Sequence, residues 1–230
     1  MDNMLVIHEY MHGVTSRLTG GRKNAHCLAD FESSGLSEGW SDAVAAMFTR
    51  KSISDMGDVA FGAWASRNKL RGLRRYPYST NVTKNPLLYS DIKSSKNSHE
   101  LGEIWASMLN EVYVNMVERY GFASNWTDRS RTAGNIVTMK VIFKGLMLQP
   151  CNPTFLSARD AIIRADKVDY DGMYKCQIWS GFAKRGIVNL IQDWVIRQID
   201  VTQTAMICRQ NANSVVCIYS NHRYKLRNSR

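Results

Sequence analysis

The chain has 230 residues, of which 44% are hydrophobic and 10% aromatic, so it is long and apolar enough to bury a substantial core. Its formal net charge is +10, but Lys and Arg are dispersed along the sequence as in a solvated basic surface, so we expect no specific nucleic-acid partner. No apolar run is long enough to predict a membrane span, and the first residues lack the pattern of a signal peptide.

The cysteines and two Asn-x-Thr tripeptides indicate which metal sites and modifications to expect. The five cysteines are Cys27, Cys151, Cys176, Cys208 and Cys217. No two of them are spaced as Cys-x-x-Cys, so we expect no zinc site built from thiolates. Residues 81–83 and 125–127 each read Asn-x-Thr, the acceptor for N-glycosylation in secreted proteins, whereas Pro153 excludes the tripeptide that begins at Asn152.

The first predicted helix covers residues 4–18 and ends at a Gly-Gly pair. It carries His8 and His12, which lie one turn apart on the same face, so that both imidazoles can reach one metal ion. Glu9 lies beside them as a candidate general base, and the pattern His-Glu-x-x-His is typical of a zinc-hydrolase helix. The alternative is a chance match in a helix with two unrelated histidines.

A second helix is predicted from about residue 35 to residue 48, with Glu38 in its first turn and Asp42 one turn later on the same face. Glu38 would complete a zinc site with His8 and His12 and leave one coordination position open for water. Asp42 would accept the second ring N–H of a ligating histidine, most simply His8. Alternatively, the two carboxylates are only an acidic helix start that the helix dipole favours.

Residues 57–96 show little periodicity and contain several turn signals, which predicts an irregular segment. Its aromatic residues are expected to pack and not to bind a ligand. They are Trp64, Tyr76 and Tyr78.

The clearest helical pattern of the sequence covers residues 98–120, where apolar residues recur along one stripe. Ser98 is the predicted N-cap and Gly121 the predicted C-cap. His99 falls in the first turn of this helix. From its position alone, it is an ordinary histidine of a capping region.

Three further helices are predicted at residues 131–148, 154–168 and 174–185. Beyond them, residues 187–199 form an amphipathic helical pattern, and residues 215–219 indicate a short strand before a basic, polar end. That end could contact an anionic surface, but a frayed chain end is the simpler interpretation.

Several of these motifs occur together, and in this order, in a known family. Residues 8–13, 17–21 and 38–42 resemble the fungalysin family, the secreted fungal zinc metalloendopeptidases, and more distantly thermolysin. The resemblance continues through residues 63–65, 74–80, 85–87, 99–106, 149–155 and 182–186. It therefore covers most of the first 186 residues.

The resemblance implies a mainly α fold that corresponds to the helical C-terminal part of a thermolysin-like zincin. Residues 1–186 would form the zinc metallopeptidase catalytic region, and residues 187–230 a divergent tail. Because only three residues precede Met4, we expect the N-terminal strand-rich subdomain and the propeptide of the family to be missing.

The resemblance also assigns roles to individual residues. His8, His12 and Glu38 would hold one Zn²⁺, and Glu9 would act as the general base. His99 would donate a hydrogen bond to the oxyanion that forms when the peptide carbonyl is attacked.

Two further implications of the resemblance concern Arg74 and a pair of cysteines. Arg74 matches an invariant arginine of the family, but its spacing does not indicate a role. Cys151 and Cys176 match a family disulfide that would join helices. The alternative is two buried thiols, as in a protein of a reducing compartment.

The implied function is zinc-dependent hydrolysis of internal peptide bonds in extracellular proteins. The resemblance further implies secretion as a zymogen, protein or peptide substrates and a monomeric state. The alternative is an inactive zinc-binding helical module, because the missing subdomain would form one wall of the substrate cleft. A third hypothesis, an anion- or nucleic-acid-binding protein, rests on the net charge alone.

Overall fold

Helices dominate the computed structural model, which describes residues 2–21, 24–127 and 132–187 and the backbone of two strands at 204–211 and 214–221. The α-helices are α1 (Asn3–Leu18), α2 (Phe31–Thr49), α3 (Ala63–Ser66), α4 (Ser98–Tyr120), α5 (Gly134–Leu148), α6 (Phe155–Tyr170) and α7 (Lys175–Lys184). Short 3₁₀ helices are Ile53–Asp55 and Tyr89–Ser94. The strands β1 (Thr204–Asn211) and β2 (Ser214–Asn221) pair antiparallel. The expectation of a mainly α fold is confirmed.

Helix α4 is the central element of the fold, and it has the bounds that the sequence predicts. It is buried along most of its length between α2, α5 and α7. Trp105 on this helix contacts Trp40, Phe155 and Phe182, with ring centroids 5.2 to 5.5 Å apart. The predicted cap Gly121 is confirmed at the C-terminus.

The N-terminal cap of α4 differs from the prediction. Asn97, and not Ser98, is the N-cap, because its side chain accepts a hydrogen bond from the Glu100 N–H at 2.9 Å. The cap leaves His99 in the first turn of the helix, as the sequence predicts.

Helix α2 begins at Phe31, earlier than predicted, so the placement of Glu38 in a first turn is wrong. Small and polar residues near the start of α2 suggest a loop, but they serve close packing. A Cβ atom at Gly35 would lie 2.3 Å from the Leu101 Cβ of α4. Glu32 contacts another helix, because its Oε1 accepts a hydrogen bond from the Phe155 N–H at 2.7 Å. Glu38 therefore lies in the interior of the helix.

The crossing of α2 and α4 brings two glycines together beside Glu38. A Cβ atom at Gly39 would lie 2.6 Å from the Gly102 carbonyl oxygen, and a Cβ atom at Gly102 would lie 2.5 Å from the Glu38 Cβ. Real side chains do not tolerate such distances, so the two helices can approach this closely only where both residues lack a Cβ. The crossing sets the position of Glu38 relative to the first turn of α4.

The irregular segment between α2 and α4 is confirmed, and a buried arginine ties it to the helices. Arg185, at the end of α7, is fully buried. Its Nε donates to Glu111 Oε1 at 2.9 Å, and its Nη1 donates to the carbonyl oxygens of Asn85 and Leu87 at 2.6 and 3.1 Å. A multiply satisfied buried guanidinium of this kind fixes the backbone at residues 85–87, which lie outside any helix or strand.

The predicted disulfide between Cys151 and Cys176 is wrong, because Cys151 is bonded to Cys27, with the two Cα atoms 4.4 Å apart. The end of α1 and the α5–α6 connection lie side by side. There, Gln149 Nε2 donates to Thr19 Oγ1 and the Asn152 N–H donates to the Cys27 carbonyl, both at 2.8 Å. The pairing follows from this tertiary contact.

The last part of the chain is described only in part. The predicted strand at residues 215–219 falls within β2. The predicted helix at residues 187–199 and the basic end lie outside the described residues, apart from Ile187. Among the helices that the structure describes, none combines the length and apolarity required to cross a membrane.

Candidate metal centre

Helix α1 presents the His-Glu-x-x-His pattern toward α2. Asp2 caps the helix, because its Oδ1 accepts the Met4 N–H at 3.0 Å. His8 is buried against α2, whereas the next two residues, Glu9 and Tyr10, are exposed. The helix therefore directs its two histidines toward α2 and leaves Glu9 accessible to solvent.

Three side chains converge on one point between α1 and α2. The Nε2 atoms of His8 and His12 lie 3.0 Å apart. Glu38 Oε2 lies 3.3 Å from His8 Nε2, and Glu38 Oε1 lies 3.6 Å from His12 Nε2. Within the described ranges, this is the one group of three such side chains whose ligand atoms lie close enough to hold a metal ion.

The hydrogen bond to Asp42 assigns the tautomer of His8, and the contact with Ser37 is compatible with the same tautomer of His12. His8 Nδ1 lies 2.8 Å from Asp42 Oδ1, and a buried carboxylate can only accept, so we place a proton on this nitrogen. His12 Nδ1 lies 3.1 Å from Ser37 Oγ, which can accept a hydrogen bond from a proton on this nitrogen. Both Nε2 atoms then direct lone pairs at each other across 3.0 Å. Such an arrangement needs a cation or a shared proton between them.

The geometry fits a zinc ion. Ligand atoms about 2.0–2.1 Å from a tetrahedral zinc lie about 3.3–3.4 Å from one another. The observed separations, from 3.0 to 3.6 Å, bracket this value, although each histidine is measured to a different oxygen of the Glu38 carboxylate. In addition, Glu38 Oε2 is buried and has no hydrogen-bond partner among the described residues, which is costly unless a cation satisfies it. Two neutral imidazoles and one carboxylate are also donors that zinc accepts.

Asp42 is the centre of a buried network behind His8. Arg74 donates to it through both Nε and Nη2, at 2.6 and 2.7 Å, and Tyr78 donates its hydroxyl to Oδ2. Burial alone would raise the pKa of Asp42, but the hydrogen bonds from His8 and Arg74 outweigh it and hold the pKa below its ordinary value. The carboxylate therefore stays charged and can orient His8.

Sequence reasoning missed the roles of Arg74 and Tyr78. Tyr78 was expected only to pack, and it is buried, but it also donates a hydrogen bond to Asp42. Both residues reach Asp42 because the backbone of Tyr78 pairs with that of Val59 through two hydrogen bonds of 2.9 Å. This pairing joins two stretches of an irregular segment, and no periodicity in the sequence indicates it. Trp64 was expected to pack as well, but its side chain is 70% exposed.

The contacts of the three converging side chains shift their proton affinities. Burial opposes protonation of His8, but its contacts with Asp42 and Glu38 outweigh burial and raise the pKa of His8 to about 9. Burial lowers the pKa of His12. Burial would raise the pKa of Glu38, but contact with His8 and the nearby charge of His99 lower it. In the absence of metal, a proton on His8 would neutralise part of this cluster.

Arg75 links the same segment to α4. Its N–H donates to Glu103 Oε1 at 2.9 Å, and its Nε donates to Glu103 Oε2 at 2.6 Å. Its Nη2 also donates to the Glu100 carbonyl oxygen at 3.1 Å. Because Arg74 contacts α2 and the adjacent Arg75 contacts the first turns of α4, this dipeptide ties the two helices together beside the metal centre.

His99 lies at the edge of the centre. Its Nε2 is 3.4 Å from Glu38 Oε2, and its side chain is 58% exposed. Asp91, the nearest acidic residue upstream in the sequence, is engaged elsewhere, since its Oδ2 accepts the Leu88 N–H at 2.7 Å. Glu38 is therefore the carboxylate that His99 contacts.

A helical fold with a His-Glu-x-x-His helix and a carboxylate from the next helix defines a metallopeptidase of the zincin class. The pattern that defines the fungalysin metallopeptidase (M36) family matches residues 1–189. The chain belongs to this family.

Individual relatives agree with this assignment. The chain is 47% identical over 189 residues to an extracellular metalloproteinase of Pyrenophora tritici-repentis, in an alignment that covers 80% of this chain and 29% of the relative. It is 46% identical to the extracellular metalloproteinase mep of Aspergillus terreus, over 81% of this chain and 30% of the relative. It is 42% identical to extracellular metalloproteinase 10 of Uncinocarpus reesii, in an alignment that covers 89% of this chain and 33% of the relative. The chain thus spans about a third or less of the length of these curated relatives.

Proposed function

We propose that this chain carries the zinc centre of an extracellular metalloendopeptidase, in which His8, His12 and Glu38 hold one Zn²⁺. The observation that carries the proposal is the convergence of two imidazole Nε2 atoms and an otherwise unsatisfied carboxylate oxygen. The names of the relatives support an extracellular location and proteins or peptides as substrates. A monomeric state stays a prediction.

The residues around the centre have complementary roles in this proposal. A bound zinc ion would supply Lewis acidity, which lowers the pKa of water to about 7. The exposed Glu9 carboxylate accepts the proton of the attacking water and passes it to the leaving amine nitrogen. His99 Nε2 donates a hydrogen bond to the developing oxyanion, a contribution of about 3–4 kcal/mol in comparable sites. Asp42 keeps His8 in the tautomer whose Nε2 faces the metal.

One observation favours a second candidate, a helical module that binds zinc without proteolysis. The outer side of α1 carries Val6 and Tyr10, whose side chains are 49% and 75% exposed. This side of α1 is therefore open to solvent, and the described residues do not enclose Glu9. In this second candidate, the zinc contributes to folding but not to catalysis.

Zinc content and proteolysis of the purified chain separate the two candidates. We expect one zinc per chain and casein cleavage that a chelator abolishes, with cleavage lost in Glu9→Gln but zinc retained. Glu118→Gln, which makes the same change at an exposed position of α4, is the matched control and should leave both readouts unchanged. One bound zinc, with no more casein cleavage by the wild type than by Glu9→Gln, would select the second candidate. A folded chain without zinc would contradict both.

A further inference from the structure

The two Asn-x-Thr tripeptides lie at exposed turns that the metal centre does not use. We propose that Asn81 and Asn125 are sites of N-linked glycosylation. The inference rests on the extracellular location in the proposed function, but it does not depend on zinc or on proteolysis.

Asn81 lies in an exposed turn in which the threonine of the tripeptide contacts its side-chain amide. Residues 81–83 are all exposed. The side chain of Asn81 accepts from the Thr83 N–H at 2.9 Å and from the Thr83 hydroxyl at 2.7 Å. Because a backbone N–H can only donate, the accepting atom must be Oδ1. The Nδ2 amide therefore makes no hydrogen bond to any described residue and is free to be modified.

Asn125 repeats this arrangement in the connection between α4 and α5. Its Oδ1 accepts from the Thr127 N–H at 3.1 Å and from the Thr127 hydroxyl at 2.8 Å. Both residues are exposed. The same two hydrogen bonds at two unrelated turns show that the Thr hydroxyl, and not only the sequence pattern, is positioned on the Asn amide.

The disulfide gives independent support for the compartment in which such modification takes place. Cys27 and Cys151 are bonded, and disulfides persist in oxidising compartments such as the secretory pathway. N-glycans are added to Asn-x-Thr tripeptides in that pathway. A chain that acquires this disulfide there is therefore exposed to the glycosylation machinery.

The chemistry needs a sugar donor whose leaving group is a polyprenyl diphosphate. The Asn Nδ2 attacks the anomeric carbon of the sugar, so that a C–N bond forms while the C–O bond to the diphosphate breaks. Nδ2 gives one proton to a base of the glycosyltransferase, and the diphosphate leaves as an anion, with no change in oxidation state. The Thr hydroxyl that donates to Oδ1 polarises the amide and makes its N–H more acidic.

Asn152 serves as an internal control. It is exposed like the two acceptors, and a threonine follows it at the third position. However, Pro153 stands between them, so the tripeptide is excluded as an acceptor. We therefore expect Asn152 to remain unmodified in the same molecule.

The test is to secrete the full chain from a yeast host behind a cleavable leader. Purified protein is treated with peptide N-glycosidase in heavy-oxygen water, which converts each glycosylated Asn to a labelled Asp, and peptides are mapped by mass spectrometry. We expect label at Asn81 and Asn125 and none at Asn152. Secreted, folded chain with an unlabelled Asn81 or Asn125 would overturn the assignment of that position.

Paired variants show whether the hydroxyl is required. Thr83→Ser keeps a hydroxyl and should keep the label at Asn81, whereas Thr83→Ala should lose it and leave Asn125 labelled. Likewise, Thr127→Ser should keep the label at Asn125, whereas Thr127→Ala should lose it and leave Asn81 labelled. All variants are also made in a Glu9→Gln background. Label that persists there, even when no protease activity is found, separates a failure of the proposed function from a failure of this inference.

Discussion

His8 Nδ1 lies 2.8 Å from Asp42 Oδ1, and this contact determines which nitrogen of His8 faces Glu38 and His12. Asp42 in turn receives both hydrogen bonds of the Arg74 guanidinium. The metal centre is therefore held by a buried chain of charged contacts that begins in an irregular segment and ends at His8.

Asp42→Asn tests the orientation of His8. The change weakens the acceptor of the His8 ring proton and leaves Arg74 without its buried counter-charge. We expect zinc affinity, measured by competition with a chelator, to fall by about 10–100-fold. We also expect a loss of unfolding free energy of about 3–5 kcal/mol. Tyr78→Phe removes one hydrogen bond to Asp42 but keeps the carboxylate, so it should have the smaller effect on zinc. A folded Asp42→Asn chain with wild-type zinc affinity would contradict this role.

Gly102→Ala tests the helix crossing. The added Cβ would lie 2.5 Å from the Glu38 Cβ, so α2 and α4 must separate and Glu38 must move. We expect a stability loss of about 1–3 kcal/mol in urea unfolding, together with weaker zinc binding. Gly13→Ala is the matched control, because a Cβ at Gly13 of α1 meets no atom within 4 Å. It should be neutral or stabilising by up to about 1 kcal/mol. Equal unfolding free energies and equal zinc affinities of the two variants would contradict this explanation.

Zinc affinity should depend on pH through His8. The pKa of His8 is raised to about 9, so at lower pH the metal-free chain holds a proton that zinc must displace. Affinity should therefore rise with pH, by about tenfold per unit for one released proton, and level off near pH 9. Chelator competition across this range, corrected for protonation of the chelator, measures the slope. An affinity that stays constant or falls with rising pH would contradict the assignment.

The disulfide should contribute to stability through Cys27 and not through Cys176. Cys27→Ser removes a link between residues 124 positions apart and should cost about 2–4 kcal/mol in urea unfolding. Cys176→Ser, the matched control on α7, should cost clearly less. Peptide mapping without reductant should find Cys27 joined to Cys151. A linked peptide that contains Cys176 would restore the pairing that the resemblance implies.

Periodic and local features were predictable from the sequence. The apolar stripe of α4 predicts the extent of this helix, and the spacing of four places His8 and His12 on one face. The spacing of Glu38 and Asp42 likewise places both on one face of α2. Each of these relationships lies within one helix, where position along the sequence determines direction in space.

The remaining features depend on contacts between distant segments. The small residues that open α2 look like a loop, but they are small because α4 lies against them. Arg74 reaches Asp42 from an irregular segment, and Cys27 meets Cys151 because α1 ends beside the α5–α6 connection. None of these contacts has a repeat or a local motif that could reveal it in a single sequence.

X-ray absorption spectroscopy of the zinc-loaded chain tests the central claim most directly, namely that His8, His12 and Glu38 hold one zinc ion. We predict two imidazole nitrogens and carboxylate or water oxygens at about 2.0–2.2 Å. The imidazole scattering should fall in His12→Ala, with residual zinc bound more weakly. A sulfur ligand at about 2.3 Å, or a spectrum that His12→Ala leaves unchanged, would contradict the claim.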